Sequence, residues 1–220
     1  MPSVYSLKHS PYSSHMLLMQ LLDPAQLGRR LLDVGCGNGY LSGLLAEKGF
    51  EVTCLEHPAG FDASFPSHIP LIPHDLEQPL PELPGPFDVI LIADVLEHLR
   101  RPEDLLKGLW PYLSQHGVLV GSLPNSGNLY FRLQILLGRF PEDDKGLFDR
   151  THLHFWMLEN WRNLLSRSGF QCEVAEVSGI PVGLAMPALQ WLEVVCYYCA
   201  RAWKTLFAYQ FLVIARRKSS

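Results

Sequence analysis

Apolar residues along this chain fall into short runs separated by stretches with helical spacing. Residues 30–34 (RLLDV) make a short strand, and residues 87–93 (FDVILIA) are nearly all apolar, the pattern of a strand buried on both faces. Further strands are expected at 51–56, 69–73, 117–123, 171–177 and 209–216. A helix over 40–48 places Leu41, Leu44 and Leu45 on one face and stops at Gly49. Residues 13–22 form another, with Ser13 or Ser14 as cap. Pro102 opens a third at its favoured first position, with Glu103 and Asp104 in the first turn. Leu105, Leu106, Leu109, Trp110 and Leu113 then recur at core-facing spacing. Helices also fit 127–137 and 156–168, the latter ended by Gly169, and one long apolar helix fits the run from Pro187 to Phe207. Such alternation predicts an α/β fold, a parallel sheet with right-handed crossovers. The rhythm loosens over 124–155, where 138–155 reads as a polar, aromatic-rich loop. The expected organisation is one domain over 1–220, with an alternating half (24–123), a loop insertion (124–155) and a C-terminal part (156–220).

The 220 residues suffice for one full core, and 48% hydrophobic with 18% charged residues is an ordinary globular balance. A formal net charge of −4 and a pI near 6.1 run against a nucleic-acid partner. Residues 1–12 lack the pattern of a secretory signal. Five cysteines form neither a disulfide framework nor paired zinc spacing, so a reducing cytoplasm is expected. Cys196 and Cys199 form a C-x-x-C inside the long apolar helix, where both sulfurs are expected to face the core.

The sharpest chemical signal is Leu32-Asp33-Val34-Gly35-Cys36-Gly37-Asn38-Gly39, between a strand and a helix. Its glycines let the backbone turn tightly and approach a ligand without Cβ obstruction. Dinucleotide folds space them G-x-G-x-x-G, with pyrophosphate on the helix end. Here the spacing is G-x-G-x-G, and Asp33 stands two residues before the first glycine. A carboxylate so close repels pyrophosphate and suits a cofactor carrying an ammonium. Glu56 closes the second strand, where a carboxylate binds ribose hydroxyls in either cofactor class.

LDVGCGNG, CLE and HDLEQPLPELPGPFDVILIADVLEHLRRPEDLL together resemble the class I S-adenosylmethionine methyltransferases. The similarity is greatest to the bacterial group of ubiquinone-type O-methyltransferases and surface-polysaccharide-associated enzymes. FDRTHLHFW and LFAYQFLVIARR are similar to the polysaccharide-associated members. The resemblance implies a Rossmann-like three-layer sandwich, its seven-stranded sheet mostly parallel with the last strand antiparallel, and S-adenosylmethionine as cofactor. It also implies that Gly35, Cys36, Gly37 and Gly39 line the methionine moiety, with Asp33 near its ammonium. Glu56 would hold the ribose diol, Asp75 and Leu76 would meet the adenine, and Asp94 would face the methionine end. A plain turn before Pro79 is the other reading of Asp75.

Asp94, Glu97 and His98 form D-x-x-E-H, which has the look of a metal cluster and is similar to one in small-RNA 2′-O-methyltransferases. With no further ligand identifiable, it reads as pocket architecture, with no metal expected. Chemistry toward the acceptor is expected after the fifth strand, at FDRTHLHF. His152 there is a candidate base or substrate anchor, Arg150 a candidate partner for an anionic group, and Asp149 their neighbour. Equally, Asp149, Arg150 and Thr151 pin the loop while the histidines are structural.

Along the run from Pro187 to Phe207, Gln190, Glu193, Tyr197, Arg201 and Lys204 make one narrow polar stripe. The wide apolar remainder fits a lid over the acceptor, a homodimer face or an interfacial helix at a membrane. Function classes stand in order: methyl transfer to a small-molecule or glycan/lipid-linked acceptor, with oxygen the atom the resemblance implies; a non-catalytic accessory protein; a nicotinamide oxidoreductase, disfavoured by Asp33 and the glycine spacing.

Overall fold

The computed structural model describes residues 10–144 and 146–218; most of the segment 1–12 therefore lies outside the described residues. In chain order come α1 (Ser14–Leu21), α2 (Pro24–Leu27), β1 (Arg30–Val34), α3 (Tyr40–Glu47), β2 (Glu51–Glu56), β3 (Leu71–Pro73) and β4 (Phe87–Ala93). Then follow α4 (Pro102–Leu109), β5 (Leu113–Pro124), α5 (Leu129–Leu136), α6 (Leu158–Arg167), β6 (Phe170–Ser178), α7 (Val182–Ala185), α8 (Leu192–Ala202), α9 (Lys204–Phe207) and β7 (Gln210–Arg217). The seven strands form one sheet in the order β3-β2-β1-β4-β5-β7-β6. Strands β1 to β5 are parallel, whereas β7 runs antiparallel to both β5 and β6.

Alternation along the central strands feeds two core layers. On β4, Val89 and Leu91 join Leu17 and Leu18 of α1, Leu41 and Leu45 of α3, and Leu212. Ile90 and Ile92 pack on the other face with Leu105, Leu106 and Leu109 of α4 and Trp161, Leu164 and Leu165 of α6. Each such side chain, fully buried, contributes about 1.5–3 kcal/mol. The stretch Phe87–Ala93 is apolar throughout because both faces are covered.

Several expected elements shift. α4 ends at Leu109, a 3-10 turn follows at Trp110–Tyr112, and Leu113 begins β5 instead of continuing the helix. α2 was not anticipated, although its signal is local: Asp23 accepts the Ala25 N–H at 3.0 Å and Pro24 occupies the first helical position.

The larger correction concerns the run from Pro187 to Phe207. It is a 3-10 turn at Pro187–Leu189, then α8, then α9, with the break at Trp203 (φ −140°, ψ 82°). Its polar stripe turns inward at Glu193 and Tyr197, both buried. The Glu193 carboxylate accepts from Gly183 N at 2.8 Å and from Ser10 Oγ, and Tyr197 Oη donates to Glu176 Oε2 at 3.1 Å. These bonds satisfy polar groups that helical spacing alone assigns to solvent. The outward face instead carries Trp191, Val195 and Tyr198, with Trp203 at the break also exposed. Cys199 is exposed and Cys196 half-buried, so the C-x-x-C does not face the core as expected. Among the described residues no helix is long and apolar enough to cross a membrane.

Candidate active site

The carboxyl ends of the parallel strands converge on one edge of the sheet, where such folds bind ligands. Gly35, Gly37 and Gly39 there adopt φ values of +74°, +56° and +73°. A Cβ on Gly35 would lie 2.5 Å from Val95 Cγ2, and one on Gly39 2.8 Å from Phe65 Cε2, so conformation and space both demand glycine at these two positions. Gly37 N donates to Glu56 Oε2 at 2.6 Å, and His57 N donates to Oε1 at 2.8 Å, which fixes the Glu56 carboxylate beside the loop.

Asp33 is buried under the loop and accepts from Ser42 Oγ at 2.6 Å. Burial pushes its carboxyl up to about 7; the Ser42 bond works against this, and the charge of Glu56 adds to it. The half-buried Cys36 thiol, beside Cys54, is pushed up and stays protonated. Asp75 follows β3 and accepts the Glu77 N–H at 3.0 Å, so one carboxylate oxygen also builds its own turn. Leu76 next to it packs on the core. Asp94, past β4, has φ +55°, unusual for a non-glycine residue. Its Oδ1 accepts from Ser122 Oγ and from Gln210 Nε2, each at 2.6 Å, and these bonds hold the strained conformation in place.

The neighbouring strands β3, β2, β1 and β4 thus each bring a carboxylate to or near their carboxyl ends: Asp75, Glu56, Asp33 and Asp94. That donor-poor, acid-rich rim fits a cofactor with an ammonium and a ribose diol and disfavours a pyrophosphate. Asn38 belongs to the same rim and was not anticipated. Asp62 N donates to its Oδ1 at 2.9 Å, which ties the glycine loop to the loop after β2.

D-x-x-E-H and FDRTHLHF, far apart in sequence, are two sides of one site. Leu153 N and His154 N donate to the Glu97 carbonyl at 2.8 and 3.2 Å. Glu97 is 1% exposed and His152 9%. Burial, then the charges of Asp94 and Asp149, push Glu97 well above the usual carboxylate range. Burial and the neighbouring His98 push His152 down to about 4, leaving its imidazole neutral. A cavity of about 20 Å³ lies between Asp94, Glu97, His152, Tyr209 and Gln210.

The other candidates are placed elsewhere. Asp149 is buried and its Oδ1 accepts from Thr151 N and Oγ1 at 2.8 and 2.6 Å, pinning the loop. Arg150 is exposed, pairs with Asp144 and lies outside the cavity. His154 stacks on Trp156 at 4.2 Å and its Nε2 donates to Leu99 O at 2.9 Å. Tyr209 and Gln210 were missed: Gln210 begins β7 and Tyr209 precedes it, in a run whose sequence reads as core, and the strand's antiparallel insertion brings both to the site.

The methyltransferase-domain family matches residues 9–174. The ubiquinone biosynthesis O-methyltransferase of Caulobacter sp. (strain K31) is 36% identical over 100 residues, 42% of this chain and 40% of that protein. The mitochondrial ubiquinone biosynthesis O-methyltransferase of Schizosaccharomyces pombe is 32% identical over 103 residues, 42% of this chain and 37% of that one. The chain thus spans about two-fifths of the length of these curated relatives. In fold, it is similar to a SAM-dependent methyltransferase from Archaeoglobus fulgidus, with TM-score 0.61 and 22% identity over 93% of this chain and 95% of that one. Magnesium protoporphyrin IX methyltransferase from Synechocystis, solved with SAH bound, gives TM-score 0.60 at 18% identity, covering 92% and 80%. With the glycine loop, the acidic rim and this sheet order in one molecule, the chain belongs to the methyltransferase-domain family, the class I enzymes that use S-adenosylmethionine.

Proposed function

We propose that the chain methylates an oxygen of a small-molecule or glycan/lipid-linked acceptor. The observation that carries this reading is the small cavity beside Asp94, where a neutral His152 faces a buried Glu97. The names of the matched relatives, O-methyltransferases, support oxygen as the acceptor atom. S-adenosylmethionine supplies, when bound, a methyl already activated on a sulfonium. What remains for the protein is alignment, exclusion of water and management of the acceptor's proton. Gly35, Cys36, Gly37 and Gly39 would cradle the methionine end between Asp33 and Asp94, Glu56 the ribose, and Asp75 with Leu76 the adenine. His152 would meet the acceptor hydroxyl. Asp149 acts by holding the loop, and Arg150 at the exterior is left for contacts outside the cavity.

Phe131, Phe148, Phe140 and Phe155 pack together, with Phe131 stacked on Phe148 at 4.4 Å and these two rings buried beneath the exposed Phe140 and Phe155. A cavity of about 20 Å³ holds no organic acceptor, so segment 146–155 must shift to admit one. Outward-facing Trp191 and Tyr198, in the run from Pro187 to Phe207, support peripheral contact with a membrane carrying the acceptor; a homodimer through that run is the other outcome.

Calorimetric titration of S-adenosylmethionine, S-adenosylhomocysteine and NAD into wild type and Glu56→Ala tests the cofactor assignment. Binding of the first two alone, weakened by the substitution, is expected; binding of NAD alone overturns it. Mass spectrometry of phenolic and glycan acceptors incubated with enzyme and cofactor then tests for methyl addition, and His152→Ala should slow it with S-adenosylhomocysteine affinity unchanged.

A further inference from the structure

Glu97, His98 and His152 bring a carboxylate oxygen and two imidazole nitrogens within 4.8 Å of one another. Glu97 and His98 come from the 3-10 turn Leu96–His98 beyond β4, and His152 from the loop that follows α5. Glu97 Oε2 is buried and has no hydrogen-bond partner among the described residues. An orphaned carboxylate oxygen in the interior is costly. The other oxygen stands 3.9 Å from His152 Nε2, beyond hydrogen-bond reach. Three strong ligand groups therefore face one another across a gap too wide for them to satisfy each other.

The surroundings orient one of these groups. His98 Nδ1 lies 3.3 Å from the Thr151 carbonyl, which only accepts, so Nδ1 carries the proton. It also lies 3.0 Å from Thr151 Oγ1, whose own proton goes to Asp149 Oδ1 at 2.6 Å. His98 Nε2 is left with its lone pair. A chain of imidazole, hydroxyl and carboxylate behind the ring is the support that metal-binding histidines have, and it fixes both tautomer and ring angle. The adjoining cavity of about 20 Å³ has room for a single water or ion.

We infer that Glu97, His98 and His152 are the protein ligands of a divalent first-row transition cation. Two imidazoles with one carboxylate suit manganese, iron, cobalt or zinc better than calcium or magnesium, which favour all-oxygen sets. At ligand bonds of about 2.0–2.2 Å neighbouring ligand atoms lie roughly 3–3.6 Å apart, so a cluster now spanning up to 4.8 Å closes on an ion by contracting about an ångström. Three protein ligands leave open positions toward the cavity that Asp94 and Tyr209 also line. In the oxygen-methylation reading, on which this one consequence rests, the acceptor hydroxyl binds there and loses its proton more readily. His152 then acts as a ligand, and the loop Asp149–Thr151 as the support of His98.

The test is a titration of Co²⁺ into the untagged, EDTA-treated full chain, followed by visible absorption and calorimetry. Wild type should bind one ion with ligand-field bands. His98→Asn and His152→Asn should each bind it at least about tenfold more weakly, whereas His116→Asn, at an exposed histidine elsewhere, should match wild type. S-adenosylhomocysteine titrated into the same samples reports folding and the cofactor pocket separately. If a histidine variant loses that binding, Glu97→Gln, equal in shape, takes its place. No ion bound by wild type, or equal affinity in all variants, overturns the site. Cobalt bound at the site without S-adenosylhomocysteine binding would leave the metal site standing and sink the methyltransferase reading instead.

Discussion

Asp33→Asn is the most informative single change, because in the proposed site one buried carboxyl would link stability to cofactor capture. The wild-type group ordinarily titrates at 3.8 and here at about 7, chiefly through burial. Between those values the folded chain retains a proton that the unfolded chain has released. Stability therefore falls as pH rises from about 4 to about 7 and is level above that. At about 1.4 kcal/mol per pH unit, this residue should cost wild type about 3 kcal/mol between pH 5 and pH 8. Asparagine keeps the shape and an acceptor for Ser42 Oγ, so the variant lacks that fall and becomes the more stable chain above pH 7. Urea unfolding at pH 5, 6, 7 and 8 measures the difference curve, from which groups common to both chains cancel. Calorimetry of S-adenosylhomocysteine at pH 6.5, in two buffers of unlike ionisation enthalpy, adds a second reading. The ligand's ammonium favours ionised Asp33, so wild type should release a proton on binding, while the variant releases none from this position and binds at least about tenfold more weakly. Parallel stability curves for the two proteins across the whole range would refute the reasoning.

Four other outcomes follow from the geometry. Gly35→Ala adds about 1–2 kcal/mol of backbone strain and about 1–3 kcal/mol of overpacking against Val95. Urea midpoint and S-adenosylhomocysteine affinity should both drop, and Val95→Ala should recover only the overpacking part; affinity equal to wild type would contradict the fit. Glu56→Gln turns an acceptor at Gly37 N into an amide with half the acceptor capacity, and should weaken the same ligand about tenfold or more in calorimetry. Asn128 is fully buried, caps α5 by accepting from Tyr130 N at 2.9 Å, and donates to Ala208 O at 2.8 Å. Asn128→Ala should therefore cost about 2–4 kcal/mol in urea unfolding, and a loss below the assay error would show these bonds to be idle. Trp191→Glu with Tyr198→Glu should reduce co-sedimentation with anionic lipid vesicles without altering cofactor affinity; unchanged sedimentation argues that this face does not touch lipid.

Local rules made the glycine-loop half of the molecule readable. Asp33, Gly35, Gly37, Gly39 and Glu56 lie on a strand–loop–helix–strand unit whose spacing alone determines where they meet. The proposed acceptor side was harder because it is assembled from distant pieces. Glu97 and His152 show no common period or motif spacing, and tertiary bonds from Leu153 and His154 to the Glu97 carbonyl, with those between His98 and Thr151, bring them together. Gln210 looked like the start of an apolar strand, yet the insertion of β7 beside β5 aims it at Asp94. Helical spacing gave Glu193 and Tyr197 to solvent, and it failed there because their partners, Gly183, Ser10 and Glu176, lie on other elements. Arg150 looked suited to an anion on charge alone, but a turn carries it outward to Asp144.

The position of β7 also bears on how the enzyme is made. β6 is synthesised first but lies at the sheet edge with β7 as its neighbour. A nascent chain on the ribosome therefore carries β6 unpaired until residues 210–217 have left the exit tunnel. Asp94 likewise waits for Gln210, one of its two side-chain donors. A product broken off before β7 thus has an exposed strand edge and lacks one of the two side-chain donors that hold Asp94.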